Sequence, residues 1–165
     1  MRESARRIPL EHEAPAVHQD NPLKIAEAAA KMMWSRDRAS QALGMALLEV
    51  RPGYARMQMA IRENMANVHR TGHGGFTFTL ADSTFAYACN SHNRPAVAVT
   101  CNIDFIRPVH VGDVLVATGV EQSLAGRNGV YDIRVENQHG ELVALFRGKS
   151  QQIKGSVTDE PPKPG

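Results

Sequence analysis

From position 21 onward the chain changes its hydrophobic period several times, and each change marks an element. Asn21-Pro22 suits a helix start, with Asn as N-cap and Pro at the first helical position. Leu23, Ala26, Ala30, Met33 and Trp34 then recur at helical spacing, and Gly44 is a suitable stop, which predicts a helix over about 22–42. Gly44 to Val50 is apolar and Arg51-Pro52-Gly53 is a turn signal. In Tyr54 to Ile61 the residues Ala55, Met57, Met59 and Ile61 alternate with Arg56 and Gln58, which predicts a half-buried strand in a hairpin.

A polar, Gly-rich loop over Asn64 to Thr71 leads into the most apolar stretch of the chain, Gly74 to Asn90. Phe76, Phe78, Leu80, Ala81, Phe85, Ala86, Tyr87, Ala88 and Cys89 surround a helical axis instead of forming a narrow stripe, which predicts a buried helix. Its many small residues let a sheet approach closely. Beyond it the period returns to two. Val97, Val99, Cys101, Ile103 and Phe105 alternate with Ala98, Thr100, Asn102 and Asp104. Strands over Asp113 to Gln122, Gly129 to Glu136 and Glu141 to Ile153 follow, separated by polar turns at Ser123 to Asn128 and Asn137 to Gly140. One antiparallel sheet wrapped around one central helix, an α+β arrangement, satisfies this order. A single sheet leaves one flank of such a helix open, so at least a dimer is expected.

Composition changes this picture little. At 165 residues, 42% of them hydrophobic, one domain over 21–154 is expected. Residues 1–20 are charged and Pro-containing, and 155–165 carry three prolines; both read as disordered extensions. The net charge of +2 is too small to argue for nucleic acid. No apolar run approaches the ~18–20 residues needed to cross a membrane. The N-terminal stretch has no apolar core of a secretory signal, so a cytoplasmic protein is expected. Cys89 and Cys101 sit in apolar surroundings and read as free thiols. Charge matters at one position. Between Arg70 and Arg94 the only formally charged side chain is Asp82. A carboxylate in so apolar a stretch is costly to desolvate, which marks a candidate site.

The strings His73-Gly74-Gly75, Ala81-Asp82, Phe85 to Asn90, Gly129-Val130-Tyr131-Asp132-Ile133 and Ala144 to Ser150 resemble the PaaI-type, hotdog-fold acyl-CoA thioesterases of bacterial phenylacetic acid degradation. The resemblance spans about residues 30–155. It implies the hotdog fold and hydrolysis of phenylacetyl-CoA or hydroxylated phenylacetyl-CoAs. It further implies a tetramer of two dimers, with no metal and no cofactor beyond the CoA of the substrate. It also puts the catalytic carboxylate at Asp82. One position departs from the pattern: Arg36 stands before Asp37 where the family often has Asn, which bears on the preferred acyl group.

The residues support a thioester site in their own terms. The first turn of a helix carries unpaired N–H groups and partial positive charge. Gly74 and Gly75 there leave room for a ligand against the backbone. The Gly74 N–H, with Gly75 N–H as a second candidate, would receive the oxyanion of a thioester carbonyl. Asp82 would serve as nucleophile through a mixed anhydride or as general base for water. From Gly75 to Asp82 is about two helical turns, so both face the same way, but roughly 10 Å apart along the axis. One carbonyl does not reach both within ~3–3.5 Å, which predicts a composite site across two antiparallel helices of a dimer. His73 is a candidate for orienting the thioester or capping the helix. Asn67 is a candidate for binding the acyl carbonyl or capping the loop. His69 and His73 lack helical context and a third ligand, so no metal is expected. For CoA, the resemblance points to Gly126, Arg127 and Asn128 in the polar turn and to Thr100, with Arg107 and Lys149 as further basic candidates.

Two other classes remain at this level. A non-catalytic acyl-CoA sensor on the same fold has no need of Asp82, and the short N-terminal stretch is not expected to hold a DNA-binding module. A hydratase or dehydratase needs an acid/base pair that the His-Gly-Gly to Asp spacing fits less well.

Overall fold

A computed structural model describes residues 21–159. The expected extension over 1–20 and residues 160–165 lie outside the described residues. Helix α1 (Pro22–Arg36) opens as predicted, with the Asn21 side chain accepting from the Leu23 N–H at 3.0 Å. The predicted single helix over 22–42 is two. The Asp37 side chain accepts from the Ser40 N–H and so caps a second, short helix, α2 (Arg38–Ala42). Asp37 cannot continue α1 and cap α2 in one conformation. Gly44, at φ +72°, turns the chain into the sheet.

Strands β1 (Ala46–Arg51), β2 (Tyr54–Ala60), β3 (Ala96–Phe105), β4 (Val114–Ala125), β5 (Asn128–Glu136) and β6 (Leu142–Gln152) form one antiparallel sheet. Its order is β1-β2-β4-β5-β6-β3. Helix α3 (Gly74–Asn90) lies across the face that carries Ala55, Met57, Met59, Leu115, Ala117, Ile133, Val135 and Phe146, all buried. Phe85 packs against Tyr131 and Phe146 with ring centroids 5.6 and 6.0 Å apart. The expected sheet around a central helix is therefore present.

Small residues set how closely helix and sheet approach. A Cβ at Gly148 would stand 2.8 Å from the Phe85 ring. Gly148→Ala is accordingly expected to destabilise the fold by about 1–3 kcal/mol through overpacking, read as a lower thermal midpoint. At the C-terminal end of α3, buried Asn90 accepts from the Ala96 N–H at 2.9 Å and donates to Ala86 O at 2.9 Å. That pair of bonds ties the start of β3 to the helix.

Three expectations about the strands change. The alternation through Val97 to Phe105 is broken by a bulge at Val99, where Ala98 pairs Ser150 but Thr100 pairs Lys149. Cys101 and Ile103 therefore face the helix with their partners Gly148 and Phe146, while Val97, opposite exposed Gln151, faces outward. The polar turn expected at Ser123 to Asn128 is shorter. β4 runs to Ala125 over a second bulge at Gln122, and Gly126 at φ +61° makes the tight turn into β5. Within the expected tail, residues 155–159 are held to the fold. The Thr158 N–H donates to Asn93 Oδ1 and the Val157 N–H to Asn93 O, so Gly155 to Asp159 lie against the loop after α3.

Candidate active site

The loop before α3 is built around Asn67. Its Oδ1 accepts from the His69 N–H at 2.8 Å and the Thr71 N–H at 3.2 Å, and its Nδ2 donates to Thr71 Oγ1 at 2.9 Å. Of the two roles considered, loop capping is the one these bonds perform. The His73 N–H donates to Met65 O and the Gly72 N–H to Val109 O, which set the entry angle of the helix.

His73 is the N-cap of α3. Its Nδ1 accepts from the Gly75 N–H at 2.9 Å. The Gly75 N–H, a candidate oxyanion donor, is thus engaged by the imidazole. In neutral His73 the proton then sits on Nε2, which is left as a donor. The Gly74 N–H has no partner among the described residues, as expected for the first turn of a helix. Gly74 lines a cleft of about 320 Å³ with Gly72, Thr77, Phe105 and Arg107 among others.

Asp82 lies on the one incompletely covered stripe of α3, with Gly75, Thr79 and Ala86. Burial raises its carboxyl above the usual carboxylate range, opposed by a hydrogen bond that Cys101 Sγ donates to Oδ1 at 3.7 Å. Burial, with the Asp82 charge beside it, pushes the Cys101 thiol up to about 11. Burial pushes the Cys89 thiol up to about 12. Both thiols are free.

Two residues at this site escape sequence reasoning. Cys101 reads in the sequence only as a free thiol, since its approach to Asp82 depends on the bulge. Thr79, whose Oγ1 donates to Gly75 O at 2.8 Å, lies three positions before Asp82, a spacing that is available as a signal.

The CoA candidates do not form one group. Arg107 lines the cleft at Gly74, and its Nη1 donates to Leu142 O at 2.9 Å. Gly126, Arg127 and Asn128 lie at the other end of the sheet, where Asn128 pairs Gln151 and Gln151 pairs Val97. The length of β3, Ala96 to Phe105, separates the two ends, about 30 Å at ~3.3 Å per residue. Arg127 Nε and Nη2 both donate to Gln152 O, at 2.9 and 2.7 Å. Thr100 and Lys149 are paired, exposed neighbours between these ends. Arg36 is exposed and donates to Asp159 O at 3.4 Å. A wider hollow of about 660 Å³ lies on the sheet's outer face, where Arg147 Nε meets Asp132 Oδ1 at 2.6 Å. Among the described residues no three His, Cys, Asp or Glu side chains are grouped to hold a metal, and no helix is long and apolar enough to cross a membrane.

The family model of the Thioesterase superfamily matches residues 69–144. Acyl-coenzyme A thioesterase PaaI of Escherichia coli (strain K12) is 45% identical over 131 residues, covering 79% of this chain and 94% of that protein. The chain belongs to the PaaI-type acyl-CoA thioesterases. The solved E. coli PaaI protein, from the phenylacetic acid degradation operon, matches with a TM-score of 0.81 and 43% identity, covering 82% of this chain and 99% of that one. A mutant of the phenylacetic acid degradation protein PaaI from Thermus thermophilus matches with a TM-score of 0.67 and 39% identity, covering 69% and 97%. A Streptococcus mutans protein solved bound to acetyl CoA shares the fold, with a TM-score of 0.65 and 22% identity over 68% of this chain and 90% of that one. This PaaI-type chain has the hotdog fold and is an acyl-CoA thioester hydrolase, which answers the sensor and hydratase alternatives.

Proposed function

We propose that this thioesterase hydrolyses aryl-acetyl thioesters of CoA, phenylacetyl-CoA or its ring-hydroxylated forms, in phenylacetate catabolism in the cytoplasm. Similarity to PaaI from a phenylacetic acid degradation operon supports the acyl class. The observation that carries the mechanism is Asp82, the single charged side chain of α3, on its half-covered stripe about two turns beyond the Gly74 N–H, which is unpartnered among the described residues. In this reading the thioester carbonyl accepts from the Gly74 N–H, and His73 Nε2–H orients the thioester. Asp82 takes the proton of the attacking water. A base works best when its pKa lies near the operating pH, and burial moves Asp82 in that direction. The mixed-anhydride route remains the second reading; in a single turnover in H₂¹⁸O an anhydride opened at its Asp82 carbonyl would deliver unlabelled oxygen to the acid and leave the label in Asp82, whereas direct attack of water on the thioester labels the acid and leaves Asp82 unlabelled.

The site is completed by a second copy of the chain. Gly74 and Asp82 of one chain are too far apart for one carbonyl, and the basic residues divide between the two ends of β3. An antiparallel dimer across the β3 edge, where Val99 is 60% and Phe105 55% exposed, would bring one subunit's Arg127 turn toward its partner's Gly74. In the proposed tetramer two such dimers associate. Gly126, Arg127, Asn128, Thr100 and Lys149 then line the CoA path, with Arg107 beside the thioester. Hydrolysis needs no metal or cofactor beyond the CoA of the substrate.

A panel of acyl-CoAs assayed for released thiol tests the substrate. Phenylacetyl-CoA and its hydroxylated forms are expected to give the highest kcat/KM. Turnover of long-chain acyl-CoAs with none of aryl-acetyl ones would remove the pathway assignment.

A further inference from the structure

We propose that Cys101 is a positioning residue for hydrolysis, its thiol donating to Asp82 Oδ1 so that the carboxylate is held in one orientation with Oδ2 left for the water. This rests on the reading of Asp82 as the catalytic carboxylate.

The contact is specific in its geometry. Among the described residues, Cys101 Sγ at 3.7 Å is the one side-chain donor to Asp82. The bulge at Val99 brings it there. Before the bulge Ala96 and Ala98 pair with buried Gln152 and Ser150, so in an unbroken strand Cys101 would fall on the opposite, outer face. Bulges beside active sites re-aim side chains in this way. Cys101 also stands opposite Gly148, whose missing side chain leaves the Phe85 ring in place against the sheet.

The chemistry suits a thiol. With its pKa pushed up to about 11, the Cys101 thiol stays protonated through the neutral range and acts as a donor, not as a nucleophile. Cys89, on α3, is the other titratable group beside the pair, and it too stays neutral. A thiol is a weak donor. It orients the carboxylate while lowering its basicity less than a hydroxyl would. A stronger donor would hold the anion more firmly and make it a poorer base.

Two variants of similar size separate donation from packing: Cys101→Ser keeps a donor and Cys101→Val removes it. The pH profile of kcat/KM is measured for both, beside wild type and Asp82→Asn, with thermal midpoints as the folding control. Cys101→Val is expected to lose roughly tenfold in kcat, with KM little changed and the acid limb moved to higher pH. Cys101→Ser is expected to retain most of the activity, with the acid limb moved to lower pH. Equal losses in both variants, or an unmoved acid limb in a folded Cys101→Val, overturn the proposal while an inactive Asp82→Asn leaves the Asp82 reading standing. An active Asp82→Asn overturns both.

Discussion

Asp82→Asn is expected to lower kcat for acyl-CoA hydrolysis by about 10²- to 10⁴-fold, the range that a positioned base contributes. The amide keeps the size and one acceptor oxygen but cannot take a proton from water. KM is expected to change little, because Asp82 in this reading acts on the attacking water and not on the CoA. The same substitution is expected to stabilise the fold near neutral pH. Burial raises the Asp82 carboxyl in the folded state, so the folded chain binds this proton more tightly than the unfolded chain does. Stability then falls as pH rises through the window between the ordinary carboxylate value and the raised one. Above that window wild type carries a half-buried anion and Asp82→Asn does not. The thermal midpoint of the variant should therefore exceed that of wild type at neutral pH, and the difference should shrink on acidification through the window. A loss of activity accompanied by a lower midpoint at neutral pH would point instead to a structural role for the carboxylate. A gain in stability at a cost in activity is the usual mark of a strained catalytic group.

Gly74→Val is expected to lower kcat by about 10²- to 10³-fold, comparable to removing an oxyanion donor. Even the first side-chain carbon at Gly74 would stand 3.0 Å from the Phe105 ring at the mouth of the cleft, so a branched side chain closes the approach to the N–H. Mixing distinguishes a shared site from a private one. When Asp82→Ala and Gly74→Val subunits are combined under exchange, half of the dimers are mixed, and each mixed dimer has one site with both groups intact. About a quarter of wild-type activity is then expected in a symmetric dimer with shared sites. If each chain carried its own complete site, every site in the mixture would hold one defect, and activity would stay at the level of the single variants.

Periodicity along the chain is sufficient for the helix over Gly74–Asn90, because apolar side chains on most sides of a helical axis have few stable placements other than a core. It is sufficient for Ala55, Met57, Met59 and Ile61 on one buried face. It also singles out Asp82, since one charge in a long apolar stretch stands out without any structure. The division of α1 from α2 at Asp37 is also available in principle, as a capping residue three positions before Ser40. It is hidden by the apolar spacing that continues across the break.

Other features depend on which strands meet. β3 follows α3 in the chain yet pairs with β6 at the sheet edge, a long-range choice that no local spacing encodes. That pairing creates the bulge at Val99, and the bulge turns Cys101 toward Asp82. It also sends Arg107 and Arg127, both candidates for CoA, to opposite ends of the sheet. The His73 ring takes the Gly75 N–H and leaves that of Gly74, a division set by side-chain geometry that the string His-Gly-Gly does not contain. Residue type and period are local properties and carry over from sequence to helix, strand and buried face. Register, edge and hydrogen-bond partner arise only when distant segments close against one another.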